Sequence, residues 1–346
     1  TFDGRGGHRR ITITASSSGN YVRNIRIIPE ALENTYDPSI PGHLFNPDYI
    51  TGLRPFHALR FMDWLHTNNS TLSQWEDRPT PTRYSQGLGG GICIEYAIEL
   101  CNYLGTDGWF CVPHGTDDIC IENFARLVRD NLDPSLTVYV EYSNEVWNWG
   151  FDQAQWACRN GRWDGSGITS SDALADSLRR VGQEHCSNGS DECVCHPEKD
   201  AYLMARTFRI WKDVFEAHNQ GGRLVRVAAI QVGWCANSDR VLDFLDDHGG
   251  CDALSPTMYF NFSEDHHNAW LAMDSADVTP QMIIDSMSAR MDESGYFDCV
   301  ETTARQAQEH GLDIVVYEAG QHMQPWQQGE WQYNQALWDA QRDQGM

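Results

Sequence analysis

Two glutamates stand where polar residues follow short apolar runs. Glu145 comes after the β-branched and aromatic run at 138–142, directly behind Asn144, and Glu318 comes after a second run at 312–317. A carboxylate at the end of a buried strand costs free energy unless a partner or a function compensates. One interpretation is an ion pair with an Arg. The other is glycosidic bond cleavage, in which one carboxylate is the acid/base and the other is the nucleophile.

The order of apolar runs and glycines predicts the elements that position these residues. Ile94 to Leu104 has helical periodicity, Gly105 ends it, and a short apolar strand follows, and this order recurs along the chain. Strands that alternate with helices predict a parallel sheet. The predicted strands are 21–28, 58–64, 108–113, 136–143, 224–231, 253–260 and 312–317.

These strands predict an α/β fold, a (β/α)8 TIM-type barrel that lacks its last strand within this chain. A barrel of this kind closes with eight strands. A doubly wound open sheet is the alternative, which the absence of a Gly-rich phosphate loop after the first strand disfavours. Residues 1–20 are predicted to be a linker or the tail of a preceding β-module. Residues 21–346 form the barrel, with an insertion at about 150–198 after the fourth predicted strand.

Charge and composition restrict the partners. The formal net charge is −24, which argues against nucleic acid and against an anionic membrane surface. No run approaches the roughly 18 apolar residues that a membrane span needs. Nothing at the start of the chain, Thr1, reads as a signal peptide, and we expect any leader to lie outside this sequence. Neutral or cationic partners remain.

The cysteines and the glycosylation sequons indicate an extracellular protein. Three of the eleven Cys lie in one polar loop, where two His could complete a zinc site, but the paired CxxC spacing of such sites is missing. Disulfides in an oxidising compartment are therefore favoured, which predicts a disulfide-rich insertion. The loop residues are Cys186, Cys193, Cys195, His185 and His196, and the sequons begin at Asn68, Asn69, Asn188 and Asn261.

Further polar residues stand at or near the ends of other predicted strands. Arg60 lies in the second strand, His114 follows the third, and Tyr259 lies near the end of the sixth. Functional groups of (β/α)8 barrels lie at the carboxyl ends of the strands, so we expect these side chains to meet Glu145 and Glu318. Each has a simpler interpretation: Arg60 neutralises a core carboxylate, Tyr259 is barrel packing, and His114 caps the following helix.

This set of residues resembles the clan A (4/7 superfamily) glycoside hydrolases over about residues 21–345. The motif consists of Asn144-Glu145 ending the fourth strand and a later Glu318, accompanied by Arg60, His114 and Tyr259. The resemblance implies a (β/α)8 enzyme that cleaves β-linked glycans with retention. It implies Glu145 as general acid/base and Glu318 as nucleophile. Asn144 would contact the sugar 2-hydroxyl, Arg60 and Tyr259 would hydrogen-bond the nucleophile, and His114 would face the substrate.

Several aromatic side chains are candidates for stacking on sugar faces. Some of the tryptophans must instead belong to the core, and Asp63, Glu141 and Gln231 are interpreted as structural. The candidates are Trp64, Trp147, Trp149, Trp326, Trp331 and His322.

The sequence therefore predicts a secreted retaining hydrolase of a β-linked polysaccharide or oligosaccharide, requiring no metal or organic cofactor. The alternative is a non-catalytic glycoside-hydrolase-like module. Such a module would serve as a structural or carbohydrate-binding part of a larger extracellular assembly, with flanking domains as partners.

Overall fold

A computed structural model describes residues 13–23, 36–37, 40, 43–87, 89–160, 197–323 and 331–343, with only the backbone for 158–160. The chain divides into two compact units, Thr1–Pro55 and Phe56–Met346. The first unit contains an antiparallel bridge between Ser17 and Asn20 and helix α1 (Pro47–Leu53). Most of the predicted strand at 21–28 lies outside the described residues.

The second unit alternates strands with helices. Its strands are β1 (Ala58–Arg60), β2 (Asp107–Val112), β3 (Val138–Tyr142), β4 (Leu224–Ile230), β5 (Ala253–Phe260), β6 (Asp313–Ile314) and β7 (Glu318–Gln321). Its α-helices are α2 (Ile94–Leu104), α3 (Asp118–Asn131), α4 (Asp152–Asn160), α5 (Pro197–Glu216), α6 (Cys235–Asp246), α7 (Glu264–Leu271), α8 (Pro280–Met291), α9 (Asp298–Glu309) and α10 (Asn334–Ala340). Short 3-10 helices span Trp75–Asp77, Gly221–Arg223 and Val232–Trp234.

The strands form one parallel sheet in the order β1-β2-β3-β4-β5-β6, and β7 also pairs with β5. Because β6 and β7 pair with successive stretches of β5, they share one position, and the described sheet has six strand positions. The sheet curls into a half-barrel. Parallel pairing is confirmed, and the half-barrel agrees with part of the predicted barrel.

Side chains alternate between the two faces of the sheet. On β2, Trp109 and Cys111 join an inner cluster with Val227 and Tyr317. Phe110 faces the helices instead, with its ring centroid 5.9 Å from that of Phe124 on α3. Parallel strands covered by helices are buried on both faces, and this explains why β2 is almost continuously apolar.

The helices form where periodicity and caps agree. In α2 the buried residues Ile94, Ala97, Ile98 and Cys101 follow helical spacing, and Gly105 ends the helix at φ 67°, as predicted. The Asp117 carboxylate caps α3 by accepting from the Cys120 amide at 2.7 Å. This observation shows that Asp117, not His114, is the side-chain cap of α3.

Several predicted boundaries were wrong. The strand predicted at 58–64 ends at Arg60. Of the strand predicted at 312–317, only Asp313–Ile314 is a strand (β6), and a separate strand, β7, begins at Glu318. The helix α6 begins at Cys235, and Ser238 is buried inside it. The helix α7, introduced by the Ser263 cap, was not predicted.

A disulfide joins Cys235 on α6 to Cys299 on α9. It is the only one between described cysteines whose side chains are placed, while Cys93, Cys101, Cys111, Cys120 and Cys251 are buried free thiols. Residues 161–196 of the predicted insertion at about 150–198, including its possible zinc ligands, lie outside the described residues. Within the described part of the chain, no helix is long and apolar enough to cross a membrane.

Candidate active site

Arg60 at the end of β1 connects the polar residues of the half-barrel. Its Nε and Nη2 each donate to Glu141 at 2.9 Å, and Nη2 also donates to Asn144 Oδ1 at 2.7 Å. Its Nη1 donates to Glu318 Oε1 at 3.2 Å. The guanidinium thus binds a buried carboxylate with one edge and reaches Glu318 with its remaining nitrogen.

Glu141 is 1% exposed and inward-facing on β3. Besides Arg60, its Oε2 accepts from Trp109 Nε1 at 2.8 Å and from the Cys111 thiol at 3.4 Å. Arg60 also lies over the rings of Trp109 and Tyr317, 5.7 and 5.0 Å from their centroids. Burial makes this ion pair costly to break, and the two rings restrict the guanidinium to one orientation. Arg60 therefore does neutralise a core carboxylate, and it contacts Glu318 as well.

Glu318, the first residue of β7, has a cationic partner and a hydroxyl donor. Oε1 accepts from Arg60, and Oε2 accepts from the Tyr259 hydroxyl on β5. Burial and this hydrogen bond raise the pKa of Tyr259, so its hydroxyl remains a proton donor. Glu318 therefore accepts hydrogen bonds from a guanidinium and from a phenol.

Glu145 has different surroundings. Its Oε2 accepts from Asn148 Nδ2 at 2.8 Å, and its Oε1 accepts from the Tyr317 hydroxyl at 3.2 Å. Burial raises the pKa of Glu145, and the nearby Glu318 carboxylate raises it further, against the opposing hydrogen bonds and the charge of Arg60. Both of these hydrogen-bond donors are neutral, and the raised pKa means that Glu145 retains its proton to higher pH than an ordinary glutamate.

An extra residue brings Tyr317 and Glu318 onto the same face. Opposite β5, the three residues 315–317 face only the two residues 255–256, because the pairing shifts by one between β6 and β7. Neighbours in a regular strand point to opposite faces. With this bulge, Tyr317 joins the inner cluster while Glu318 reaches Arg60. Tyr317 consequently hydrogen-bonds Glu145, while Glu318 accepts from Arg60.

Asn144 is 1% exposed and fixed from two sides. Its Oδ1 accepts from Arg60, and its Nδ2 donates to Asn68 Oδ1 at 2.9 Å. Gln153 Nε2 also donates to Asn68 Oδ1, at 2.6 Å. These two bonds fix the orientation of the Asn144 amide beside Arg60.

The turn that carries Glu145 has an unusual backbone. Ser143 and Glu145 have φ values of 56° and 43°, in the left-handed region that disfavours residues with a Cβ. Ser143 is fully buried, and its hydroxyl has no partner among the described residues. Strain of this kind persists where the surrounding structure holds a functional group in place.

Ser143→Gly is expected to leave the free energy of unfolding unchanged or to raise it by up to about 1 kcal/mol, because Gly adopts positive φ freely. Ser255→Gly is the matched control, since Ser255 is also fully buried with an unpartnered hydroxyl but lacks a positive φ. That change is expected to destabilise by at least about 0.5–1 kcal/mol. Urea denaturation measures both, and equal destabilisation would contradict strain at Ser143.

The two candidate histidines differ in position. His322 stacks on Tyr259 with centroids 4.6 Å apart, beside Glu318, and burial lowers the pKa of its imidazole. His114 is 4% exposed, contacts Trp156 edge-on at 5.5 Å, and has no hydrogen-bond partner for Nδ1 among the described residues. Burial also lowers the pKa of His114, so both rings are neutral at neutral pH.

The candidate tryptophans separate into three groups. Trp147 and Trp149 line a pocket beside Glu145. Trp64 packs on Phe61 with centroids 5.6 Å apart, and Trp331 belongs to a distant aromatic cluster with Phe262 and Tyr333, so their described contacts are with the core. Trp326 lies outside the described residues.

The asparagine side chains of the described sequons differ in their exposure to solvent. Asn69 is exposed, while Asn68 is half-buried, and its Oδ1 accepts two side-chain hydrogen bonds. Asn261 is half-buried, and its Oδ1 accepts from the Phe262 amide. Of these three, Asn69 is the easiest to reach. Asn188 lies outside the described residues, and glycosylation at all four positions stays a prediction.

Three contributors were missed or undervalued by sequence reasoning. Glu141 was interpreted as structural alone, and Tyr317 and Asn148 were given no role. Tyr317 directly precedes Glu318. Asn148 lies three residues after Glu145, a spacing that allows its observed hydrogen bond to the Glu145 carboxyl. Arg60 binds Glu141 although the two residues are 81 positions apart in the chain.

No group of three or more His, Cys, Asp or Glu suitable for a metal ion occurs among the described residues. No protein-family model matches the sequence, and no curated protein matches it. The function is therefore inferred from the arrangement of the described residues alone.

Proposed function

We propose that this chain is a retaining glycoside hydrolase acting on a β-linked glycan of the cellulose, mannan or xylan type. The supporting observation is the contrast between two carboxyls at one edge of the half-barrel. Glu318 contacts a guanidinium, whereas Glu145 accepts hydrogen bonds from the neutral side chains of Asn148 and Tyr317, and burial raises its pKa. Two carboxyls with opposite environments fit an acid and a nucleophile.

The mechanism assigns one role to each carboxyl. The Glu318 carboxylate attacks the anomeric carbon while Glu145 gives its proton to the glycosidic oxygen, so the C–O bond breaks and the leaving sugar departs as an alcohol. The Glu145 carboxylate then takes a proton from water. The resulting hydroxide oxygen attacks the anomeric carbon and displaces Glu318, which restores both residues.

Arg60 and Tyr259 support this cycle by holding the nucleophile. Both donate to Glu318 before the attack, and both remain placed to stabilise its negative charge when it leaves. Their hydrogen bonds hold the carboxylate in one orientation, which lowers the entropy cost of reaching a reactive geometry.

The half-barrel is proposed to belong to a (β/α)8 barrel. Six parallel strand positions, an inward polar network and functional groups at the carboxyl strand ends all fit that architecture. The proposed extracellular location is supported by the disulfide between Cys235 and Cys299.

Hydrolysis of β-linked tetrasaccharides of glucose, mannose and xylose tests the proposal. The wild-type protein is expected to release shorter sugars with retained anomeric configuration, as followed by NMR. Glu318→Ala should abolish turnover, because no nucleophile remains. Glu309→Ala, an exposed glutamate on α9, is the matched control and should keep full activity.

Two results would refute the proposal: activity that survives both Glu318→Ala and Glu145→Gln, or inverted product configuration. Binding of a tetrasaccharide without any turnover would instead favour the non-catalytic carbohydrate-binding module.

A further inference from the structure

The pocket beside Glu145 lies on the β4 side of the site. Its empty space, including the part open to solvent, is about 870 Å³. The walls come from the turn after β3, the end of β4, the start of α5 and the first turns of α6. We call it the indole pocket, and it is lined by Trp147, Trp149, Trp234, Ser238, Asp200 and Glu145.

The indoles form the distinctive wall of this pocket. Trp149 and Trp234 are 53% and 55% exposed, although large aromatic side chains are normally covered. Trp147 and Trp149 follow Glu145 closely in the chain, while Trp234 comes from the 3-10 helix before α6. Exposed indole faces in a concave site offer stacking surfaces to the apolar faces of a sugar.

Two polar groups of the pocket lack partners. Ser238 is 2% exposed, and its hydroxyl has no hydrogen-bond partner among the described residues. The buried indole N–H of Trp147 also lacks one. A buried polar group without a partner costs roughly 1–3 kcal/mol, so a ligand hydroxyl that reaches these groups recovers that cost.

The Asp200 carboxyl of the pocket carries reduced negative charge near neutral pH. Burial raises the pKa of Asp200 to about 7, against the opposing charge of Lys199, which lines the same cavity. Near neutral pH the Asp200 carboxyl is therefore substantially protonated, and Glu145 also has a raised pKa. A strongly cationic ligand therefore finds little negative charge at Asp200, and the exposed indoles favour the apolar face of a sugar.

We propose that the indole pocket binds the sugar on the leaving-group side of the bond that Glu145 protonates. This inference rests on the proposed function. Glu145 is common to the catalytic pair and to the pocket, so a leaving oxygen at its carboxyl directs the leaving group toward Trp147, Trp149 and Trp234. The preferred substrate is then an oligosaccharide with a neutral sugar beyond the cleaved bond, and not a glycoside of a small alcohol or phenol.

The test compares two substrates for each sugar: a β-linked tetrasaccharide and the 4-nitrophenyl β-glycoside of the matching disaccharide. Trp234→Ala is expected to lower kcat/KM for the tetrasaccharide by about 10- to 100-fold, as truncation of an aromatic anchor does. Turnover of the nitrophenyl substrate should stay within about twofold, because its leaving group needs little help from binding or protonation. Trp338→Ala is the matched control, since Trp338 on α10 is also about half exposed but lies outside the pocket.

Ser238→Ala provides a second readout. It should lower kcat/KM for the tetrasaccharide without lowering Tm, because the unbound hydroxyl has no described partner to lose. If Trp234→Ala affects both substrates equally, or neither, the pocket is not a leaving-group site although the enzyme is active. If the wild-type protein turns over neither substrate, the proposed function and this inference both fail.

Discussion

Glu145→Gln is expected to lower kcat for β-linked tetrasaccharides by about 10²–10⁴-fold, the usual contribution of a general acid. The reason is that Gln cannot give a proton to the leaving oxygen. With a 4-nitrophenyl substrate the first step needs little protonation, so the loss should be much smaller in that step. Steady-state kinetics and single-turnover measurements on both substrates separate the two steps.

The pH profile gives the sharper result. Glu145 must be protonated to act as an acid, so wild-type activity falls as pH rises through its pKa in the folded protein. Because burial raises the pKa of Glu145, this alkaline limb should lie above that of an exposed glutamate. It should be absent in Glu145→Gln, since Gln does not titrate. An alkaline limb that persists in the variant would assign the acid to another group.

Arg60→Met is expected to reduce the free energy of unfolding by about 3–5 kcal/mol, which is typical when one partner of a buried ion pair is removed. Met keeps much of the length and apolar stem but leaves Glu141, 1% exposed, without its cation. Glu318 loses a donor in the same change, so any folded fraction should also be inactive. Chemical denaturation and tetrasaccharide hydrolysis measure the two effects.

Two further variants show whether burial is the cause. Arg305→Met breaks an exposed pair with Glu309 on α9 and should cost less than about 1 kcal/mol. In a Glu141→Gln background, Arg60→Met should cost about 1–3 kcal/mol less than in the wild type, because no buried charge is left unpaired. Additive effects of the two changes would contradict direct coupling between Arg60 and Glu141.

Local signals predicted much of the sheet and several helices. The strand at 253–260 and the helix from Ile94 to Leu104 have the predicted bounds. These features depend on periodicity, caps and glycine conformation, which a few neighbouring residues determine.

The missed features depend on distant partners. The predicted strand at 312–317 is shortened to β6, and β7 begins at Glu318 after a one-residue shift in the pairing with β5. Nothing in the local pattern indicates that shift. The helix α6 starts at Cys235, after the 3-10 helix at Val232–Trp234, and the disulfide partner Cys299 lies 64 residues further along the chain.

The sequence by itself determined the alternation of strands and helices and the presence of polar residues at strand ends, because hydrophobic period and turn chemistry are local. Only the tertiary structure decided which carboxylate Arg60 binds most closely and that Tyr317 and Glu318 face the same interior. It also decided that Glu145 and Glu318 have opposite surroundings. Those properties arise from contacts between residues up to 258 positions apart, whose geometry depends on the curl and register of the whole sheet.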